Sequence, residues 1–584
     1  MIWFLSDLAR LNRERAAIEE LERQDGAWLK DVHWRLASNL LEVDATIEIS
    51  GRVFPTTLKY PYVFPSCPPS VFPRATKKTR WSSHQYGKGG ELCLEWGADN
   101  WQADLTGADM LASAYRLLQL ENPTQEEEEP QAEIPSRDIF SFAQSLRGDS
   151  NRFIATSALL VRLLDMPLFV PARIKVCVTG VLESRASVTS LETDSTEAWH
   201  DRLIPVAALD GLVYSGAAVH LPTNAPSPPI QGDLASMIAY ISELGIDPAE
   251  LPGSNRTASF VLFYVDGGQP TLVWLHTENF STYSTVYITA DKGKRLGADY
   301  ASLAGRSVCI VGSGSLGAKI AVSLARAGVE RFEIVDDDVF LSGNLVRHEF
   351  DWRDVGSHKV DALKQKICLV NVDTKVTVHR TRLNGQEASG RIARALSAAT
   401  ACDVIVDATA DPMVFNLLAA IAAADKKTLV WAEVFAGGIG GLLARYSPNS
   451  TPSPTRMRAQ ILQWCADQNV TWLGVDHQYE TRDDSDTTLI ADDADVSVIA
   501  AHTTRIVVDA LLQSVVCSYS HPAYLIGLKK GWIFSGPFDT YPIDVGPPEV
   551  VAAPVPLSDE QRNETATFIV GLLEGNTDAP PAAA

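Results

Sequence analysis

Apolar positions recur at helical spacing in "DLARLNRERAAIEELERQ", where Leu8, Leu11, Ala16, Ile18 and Leu21 fall near one face. The runs that follow, "DVHWRLA" and "ATIEISGRVFPTTLKYP", alternate apolar and polar positions and predict a strand meander. "LTGADMLASAYRLLQLEN" returns to a helical pattern and closes a first block, residues 1–122. The stretch 123–139, within "PTQEEEEPQAEIPSRD", is acidic and proline-bearing; it cannot bury apolar surface and predicts a solvated linker. Over 140–295, apolar runs such as "RIKVCVTGVL", "ASFVLFYVD" and "TLVWLH" predict strands alternating with helices, a middle α/β linker domain with no chemical motif. Over 296–545 the pattern becomes strand, glycine turn, helix, strand, from "RSVCIVGSGSLG" through "DVIVDAT" to "TLVWAEV". This alternation predicts a parallel, doubly wound sheet. The tail, 546–584, reads as largely disordered, with a short helix at "DEQRNETATFIVGLLEG".

Composition narrows the function classes. A chain of 584 residues is too long for one core, and three domains are expected. Fifty basic against 72 acidic residues leave a net charge of −22. That argues against nucleic acid or an anionic membrane as the main partner, since both need a basic footprint. The opening "MIWFLSDLARLNRER" lacks a basic region ahead of an apolar core, and no apolar stretch is long enough to span a bilayer, so a soluble, cytoplasmic protein is expected. The eight cysteines (Cys67, Cys93, Cys177, Cys309, Cys368, Cys402, Cys465 and Cys517) contain no CxxC pair. Neither a disulfide scaffold nor a four-cysteine structural zinc is expected.

Gly312-Ser313-Gly314-Ser315-Leu316-Gly317 matches G-x-G-x-x-G between a predicted strand and a predicted helix, where backbone amides can approach a phosphate. Asp336 lies 19 residues after Gly317, at the end of the next strand, where a ribose-binding carboxylate belongs. Loop and aspartate together fit a dinucleotide or ATP equally. "DDDVFLSGNLVRHEF", with Asp336, Asp338, Asn344 and Arg347, and "GSHKVDAL", with Lys359, favour ATP. Hydride transfer needs no converging cations, whereas a triphosphate does. Asp407 and Asp411 in "VDATADP" supply carboxylates of the kind that hold Mg²⁺ beside a triphosphate.

The ordered set "VGSGSLG…VDDDVFLSGNLVRH…GSHK…VDATAD" resembles the ThiF-type adenylation domain of ubiquitin-activating enzymes and sulfur-carrier activators. The resemblance implies a Rossmann-like fold, ATP and Mg²⁺ as cofactors, and a homodimer through this domain. It implies that Asp336 binds ribose, Asn344 and Arg347 contact phosphates, and Lys359 stabilises the transition state. The family's magnesium aspartate falls where this chain has Ala410, so Asp411, one residue later, or Asp407 takes its place.

In the first block, "LKYPYVFPSCPPSVF" and "HQYGKGGELCLEW" resemble the Y-P-x-x-P-P stretch and active-site segment of ubiquitin-conjugating enzymes. That resemblance implies a UBC-like α+β domain with Cys93 as the thioester carrier. A thiolate suits both attack on a thioester and departure from one. The family's H-P-N is His84-Gln85-Tyr86 here, leaving Gln85, Tyr86 or turn amides to support the oxyanion. The nucleophile of the activating domain is Cys465, Cys517, a serine, or none if the adenylate passes straight to Cys93.

The order of domains resembles fused enzymes of bacterial antiphage operons. It implies that a protein C-terminus is adenylated, held as a thioester and joined to a lysine or other amine of a target. The activated protein is expected to be a cGAS-like nucleotidyltransferase, as in CBASS systems, or else a separate ubiquitin-like modifier. Sulfur-carrier activation and a non-catalytic scaffold are the readings from other classes.

Overall fold

A computed structural model of the protein describes residues 2–24, 26–74, 81–82, 84–86, 90–121, 146, 149–180, 182–193, 198–230, 232–248, 251, 259–288, 296–384, 389–470, 480–482, 488–513, 518–548 and 558–575. The expected linker at 123–139 and the candidate Cys517 lie outside these residues. Contacts divide the chain into two units, Met1–Asp149 and Ser150–Ala584. Among the described residues, no helix is long and apolar enough to cross a membrane.

The first unit opens with helices α1 (Trp3–Ser6) and α2 (Leu8–Arg23). An antiparallel meander follows, ordered β1 (Leu29–Ala37), β2 (Leu40–Ile49), β3 (Arg52–Lys59) and β4 (Ser70–Pro73), and α3 (Gly107–Glu121) closes the unit. Strand periodicity decides which face is covered. In β2, Val43, Ala45, Ile47 and Ile49 are buried on one face, in one core with Ile18 of α2 and Leu111, Ala114 and Leu118 of α3. A charged pair is buried in this core. Glu14 on α2 pairs with Arg10 at 2.9 Å and accepts hydrogen bonds from the Tyr60 hydroxyl and the Gly107 amide, each at 2.7 Å. That network ties α2 to the end of the meander and to the start of α3.

The second unit holds two large sheets. The first contains β5 (Asn151–Thr156), β6 (Ala172–Thr179), β7 (Ser184–Glu192), β8 (Trp199–His200), β9 (Leu212–Leu221), β10 (Ser259–Val265), β11 (Thr271–Leu275) and β12 (Phe280–Ile288), with helices α4 (Ser157–Leu164) and α5 (Leu234–Glu243). The strand order is β5-β12-β11-β10-β9-β6-β7-β8, and β5 also pairs with β7, so seven strands close into a ring. Both faces are covered. Phe260, Leu262 and Tyr264 join one core with α4, while Val261 and Phe263 join another under α5. The expected α/β alternation is corrected here to a closed, mixed sheet with two α-helices among the described residues. Two-sided burial gives continuous apolar runs, which read the same in parallel and in closed sheets.

The last sheet is built from β13 (Ser307–Val311), β14 (Arg331–Val335), β15 (Lys375–His379), β16 (Val404–Asp407), β17 (Thr428–Phe435), β18 (Gly440–Tyr446), β21 (Ala523–Gly527) and β22 (Thr540–Ile543); a separate two-stranded piece comprises β19 (Glu480–Arg482) and β20 (Thr488–Ile490). Its helices are α6 (Ser315–Ala327), α7 (Lys359–Val370), α8 (Ser389–Ala401), α9 (Pro412–Ala424), α10 (Pro454–Asp467) and α11 (Asp493–Leu512). A last helix, α12 (Asp559–Gly575), falls where the tail sequence predicts one. The order is β15-β14-β13-β16-β17-β18-β21-β22. The first five strands are parallel, as the alternation predicts, and the last three join antiparallel.

Candidate functional site

The parallel strands build outward from β13 to β15, and the chain then returns to the other side of β13 at β16. The crevice between the carboxyl ends of β13 and β16 is therefore the switch point of the sheet, where open α/β folds place ligands. Gly312 follows β13 and Asp407 ends β16. Gly312 has φ +93°, and a Cβ there would meet the Thr409 methyl at 2.9 Å. A Cβ on Gly317 would lie 1.9 Å from the Gly312 carbonyl oxygen. Both positions thus need glycine for the first turn of α6 to seat on the loop. Gly314 caps α6 with nothing within 4 Å of its notional Cβ, leaving that helix terminus open to an anion.

A cavity of about 260 Å³ opens here, lined among others by Gly312, Gly314, Asp336, Asp338, Lys359 and Asp411. The Asp336 carboxylate accepts the Ser313 amide at 2.6 Å and the Asp338 amide at 2.8 Å, which fixes the loop against the end of β14. Burial pushes the Asp336 carboxyl above the ordinary range, opposed by those amides and by Lys359. The Lys359 ammonium is 2.7 Å from Asp338. Thr381, after β15, also lines the cavity; its buried hydroxyl has no hydrogen-bond partner. An open helix terminus, a buried carboxylate, a lysine and an orphaned hydroxyl fit a nucleotide in this cavity.

Asp411 caps α9, with one oxygen accepting the amides of Met413 and Val414 and the other accepting the Asn384 side chain. The preceding residue, Ala410, has φ +53°. Asp407 does not line the cavity. It is 2% exposed, and one of its oxygens accepts the amide and hydroxyl of Thr409. It faces a smaller void shared with Asp411, Trp431, Glu433 and Arg458. Burial pushes Asp407 up to about 6 and Glu433 up to about 7, while the Arg458 guanidinium pulls both down.

Residues 293–517 match the model of the ThiF family. The C-terminal region is a ThiF-family adenylation domain. The chain is 30% identical over 152 residues to the ATP-dependent ubiquitin transferase-like protein Cap2 of Enterobacter hormaechei subsp. hoffmannii, covering 26% of this chain and 23% of Cap2. It is 32% identical over 142 residues to the sulfur carrier protein ThiS adenylyltransferase of Escherichia coli, covering 24% of this chain and 53% of that one. The crystal structure of E. coli MccB with ATP overlays 43% of this chain and 67% of its own at 17% identity, with a TM-score of 0.32. This chain therefore spans about a quarter of the length of Cap2 and about half that of the ThiS adenylyltransferase.

Within the ThiF-family domain, the residues picked from the sequence for nucleotide and metal binding fall into three groups. Gly312, Gly314, Asp336, Asp338, Lys359 and Asp411 line one cavity, with Gly317 supporting its loop. Asn344 and Arg347 sit on the adjoining turn, half-buried and outside the cavity lining; the Asn344 side chain accepts the Leu341 amide at 3.1 Å. Asp407 lies in the smaller void. The sequence reading passed over His348, whose ring nitrogen donates to the Ser313 carbonyl at 3.1 Å and braces the glycine loop. Burial pushes this imidazole down to about 4, so it is neutral at pH 7. Its signal was its place directly after Arg347. Thr381, Glu433 and Arg458 carried no motif.

Cys465, on α10, is 1% exposed in the core, and burial pushes its thiol up to about 11, the setting of an inert structural cysteine. Cys93, in the first unit, is half-buried, and its amide donates to the His84 carbonyl at 2.7 Å. Gln85 is fully engaged in bracing this ribbon: its side chain accepts the Trp81 amide at 2.8 Å and donates to the Gly90 carbonyl at 3.1 Å.

Proposed function

We propose that this chain activates a protein C-terminal carboxylate with ATP and passes it, as a thioester on Cys93, to an amine. The observation that carries the reading is the shared cavity of Gly312, Gly314, Asp336, Lys359 and Asp411 in a ThiF-family domain. Asp336 holds the ribose, and loop amides at the start of α6 hold phosphate oxygens. The substrate carboxylate attacks the α-phosphate and pyrophosphate leaves. Lys359 offsets the negative charge that builds on the phosphates, with Arg347 reaching in from its turn. Asp411 would hold Mg²⁺, which when bound neutralises phosphate charge. A thiol then attacks the acyl-adenylate, AMP leaves, and the acyl group reaches Cys93.

The helix, meander and helix of the first unit, with a half-buried cysteine on a short antiparallel ribbon, support a conjugating role for residues 1–122. The match to an ATP-dependent ubiquitin transferase-like protein supports transfer of a protein C-terminus; the proposed substrate is the C-terminus of a cGAS-like nucleotidyltransferase in antiphage defence, or else a separate ubiquitin-like modifier served by the same chemistry. Residues 296–545 act as the adenylating domain, assembled as a homodimer in the cytoplasm. ATP–pyrophosphate exchange, driven by the candidate protein, tests the first stage. Arg347→Ala should lower exchange about a hundredfold or more while the chain stays folded; near-wild-type exchange would refute the assignment.

A second reading is sulfur-carrier activation, favoured by the match to the ThiS adenylyltransferase. In that case the partner leaves as a thiocarboxylate and Cys93 is dispensable.

A further inference from the structure

Residues His84 and Cys93 face each other across an antiparallel ribbon. The bridge pairs Gln85 with Leu92, so the next pair outward is His84 with Cys93, and the Cys93 amide donates to the His84 carbonyl at 2.7 Å. Side chains directly opposite in such a ribbon leave on the same face, with Cβ atoms about 5 Å apart. The imidazole is not simply a surface group. Its Nε2 lies 3.6 Å from a carboxylate oxygen of Glu121, the last residue of α3. The Glu121 side chain is 4% exposed. Its second oxygen accepts the Ser82 hydroxyl, and the Ser82 oxygen in turn accepts the His84 amide at 2.9 Å.

A buried carboxylate is costly unless paired. Here it is held by Ser82 and presented to an imidazole whose cross-strand neighbour is the half-buried cysteine. Nucleophile, base and orienting acid in series is the arrangement that proton-transfer chemistry on a thiol requires.

We infer that His84, oriented by Glu121, is the general base that lets an amine take the acyl group from Cys93. The inference rests on the reading of Cys93 as a thioester carrier. A lysine amine is almost fully protonated at pH 7, and its attack on a thioester releases a proton that must go somewhere. In the step, one proton of the lysine ammonium passes to the imidazole, the freed amine nitrogen bonds to the thioester carbonyl carbon, and the second proton, released as the amide forms, goes to water. The C–S bond breaks, the thiolate leaves, and the imidazolium returns the proton to sulfur. The products are an amide and the Cys93 thiol. Glu121 is a positioning residue that holds the ring. Gln85, engaged with Trp81 and Gly90, braces the ribbon that sets His84 against Cys93.

The test uses the full chain and a small probe. Cys93 is charged by exchange with the mercaptoethanesulfonate thioester of a short glycine-terminated peptide, and single-turnover discharge onto free lysine is followed by intact mass. His84→Ala, once charged, should discharge about a hundredfold or more slowly, with added imidazole restoring part of the rate. His84→Gln, which keeps a polar side chain of similar reach, should be as slow. Glu121→Gln should lose about tenfold, and its discharge onto hydroxylamine, a nucleophile already unprotonated, should match the wild type. Unchanged lysine discharge in both His84 variants, or equal losses with lysine and hydroxylamine, would overturn the base and leave a structural tie. If wild-type Cys93 takes no acyl group, or its thioester reacts with lysine no faster than a glutathione thioester, the thioester reading itself falls, and the base with it.

Discussion

Lys359 is tied twice to Asp338: its ammonium lies 2.7 Å from the carboxylate, and its amide donates to the Asp338 carbonyl at 2.9 Å. The backbone tie starts α7 at a fixed place, and the side-chain tie aims the ammonium at the cavity. Losing a transition-state cation costs on the order of 3 kcal/mol. Lys359→Ala should therefore lower pyrophosphate exchange about a hundredfold. Asp338→Asn, which leaves the backbone tie in place, should lose no more than about tenfold. Exchange assays at saturating ATP would separate the two.

The void behind the glycine loop makes the second unit sensitive to pH. Burial holds Asp407 up to about 6 and Glu433 up to about 7, above their ordinary 3.8 and 4.5. The folded chain binds these protons more tightly than the unfolded chain. The stability they confer is full below about pH 4 and is lost as pH rises through 6 to 7, by roughly 3 kcal/mol for Glu433. Denaturant melts of the nucleotide-free protein should show this fall between about pH 4 and 7. Glu433→Gln should flatten it. Arg458→Ala, which removes the opposing cation, should steepen it. A flat profile in the wild type would contradict the assignment.

Glu14 is the only fully buried acid in the first unit's core among the described residues, and three groups converge on it. Removing one side of a buried pair costs about 3–5 kcal/mol. Glu14→Ala should expose the first unit to proteolysis at temperatures where the wild type resists, while pyrophosphate exchange persists. Protection equal to the wild type would mean that the network contributes little.

Thiol accessibility separates the two cysteines chosen from the sequence. Cys93 is half-buried and Cys465 is 1% exposed with a raised pKa. Iodoacetamide on the native protein should label Cys93 far faster than Cys465, which should react only as the domain unfolds. Cys93→Ala should abolish the reductant-sensitive adduct yet keep pyrophosphate exchange. Rapid labelling of Cys465 would reinstate it as a relay nucleophile.

The glycine loop, Asp336 and Lys359 were legible because each occupies a fixed offset from a strand or helix end. The void of Asp407, Glu433 and Arg458 was not legible, because residues from β16, β17 and α10 meet only after the sheet is assembled. Cys465 was one candidate nucleophile among several in the sequence, and helical spacing with Met457 and Ile461 turns it into the core. Strands β18, β21 and β22 were missed because α10 and α11 intervene in sequence between members of one antiparallel set.

In the closed sheet of the second unit, β5 leaves the ribosome first and finds its β12 partner only after Ile288 has been made. Until then the nascent chain carries an open seam with two unpaired edges, a template for wrong pairing. The seam joins segments far apart in sequence, which makes its closure slow. Changes that weaken the β5–β12 contact should therefore lower soluble yield during synthesis more than they lower the stability of protein already folded.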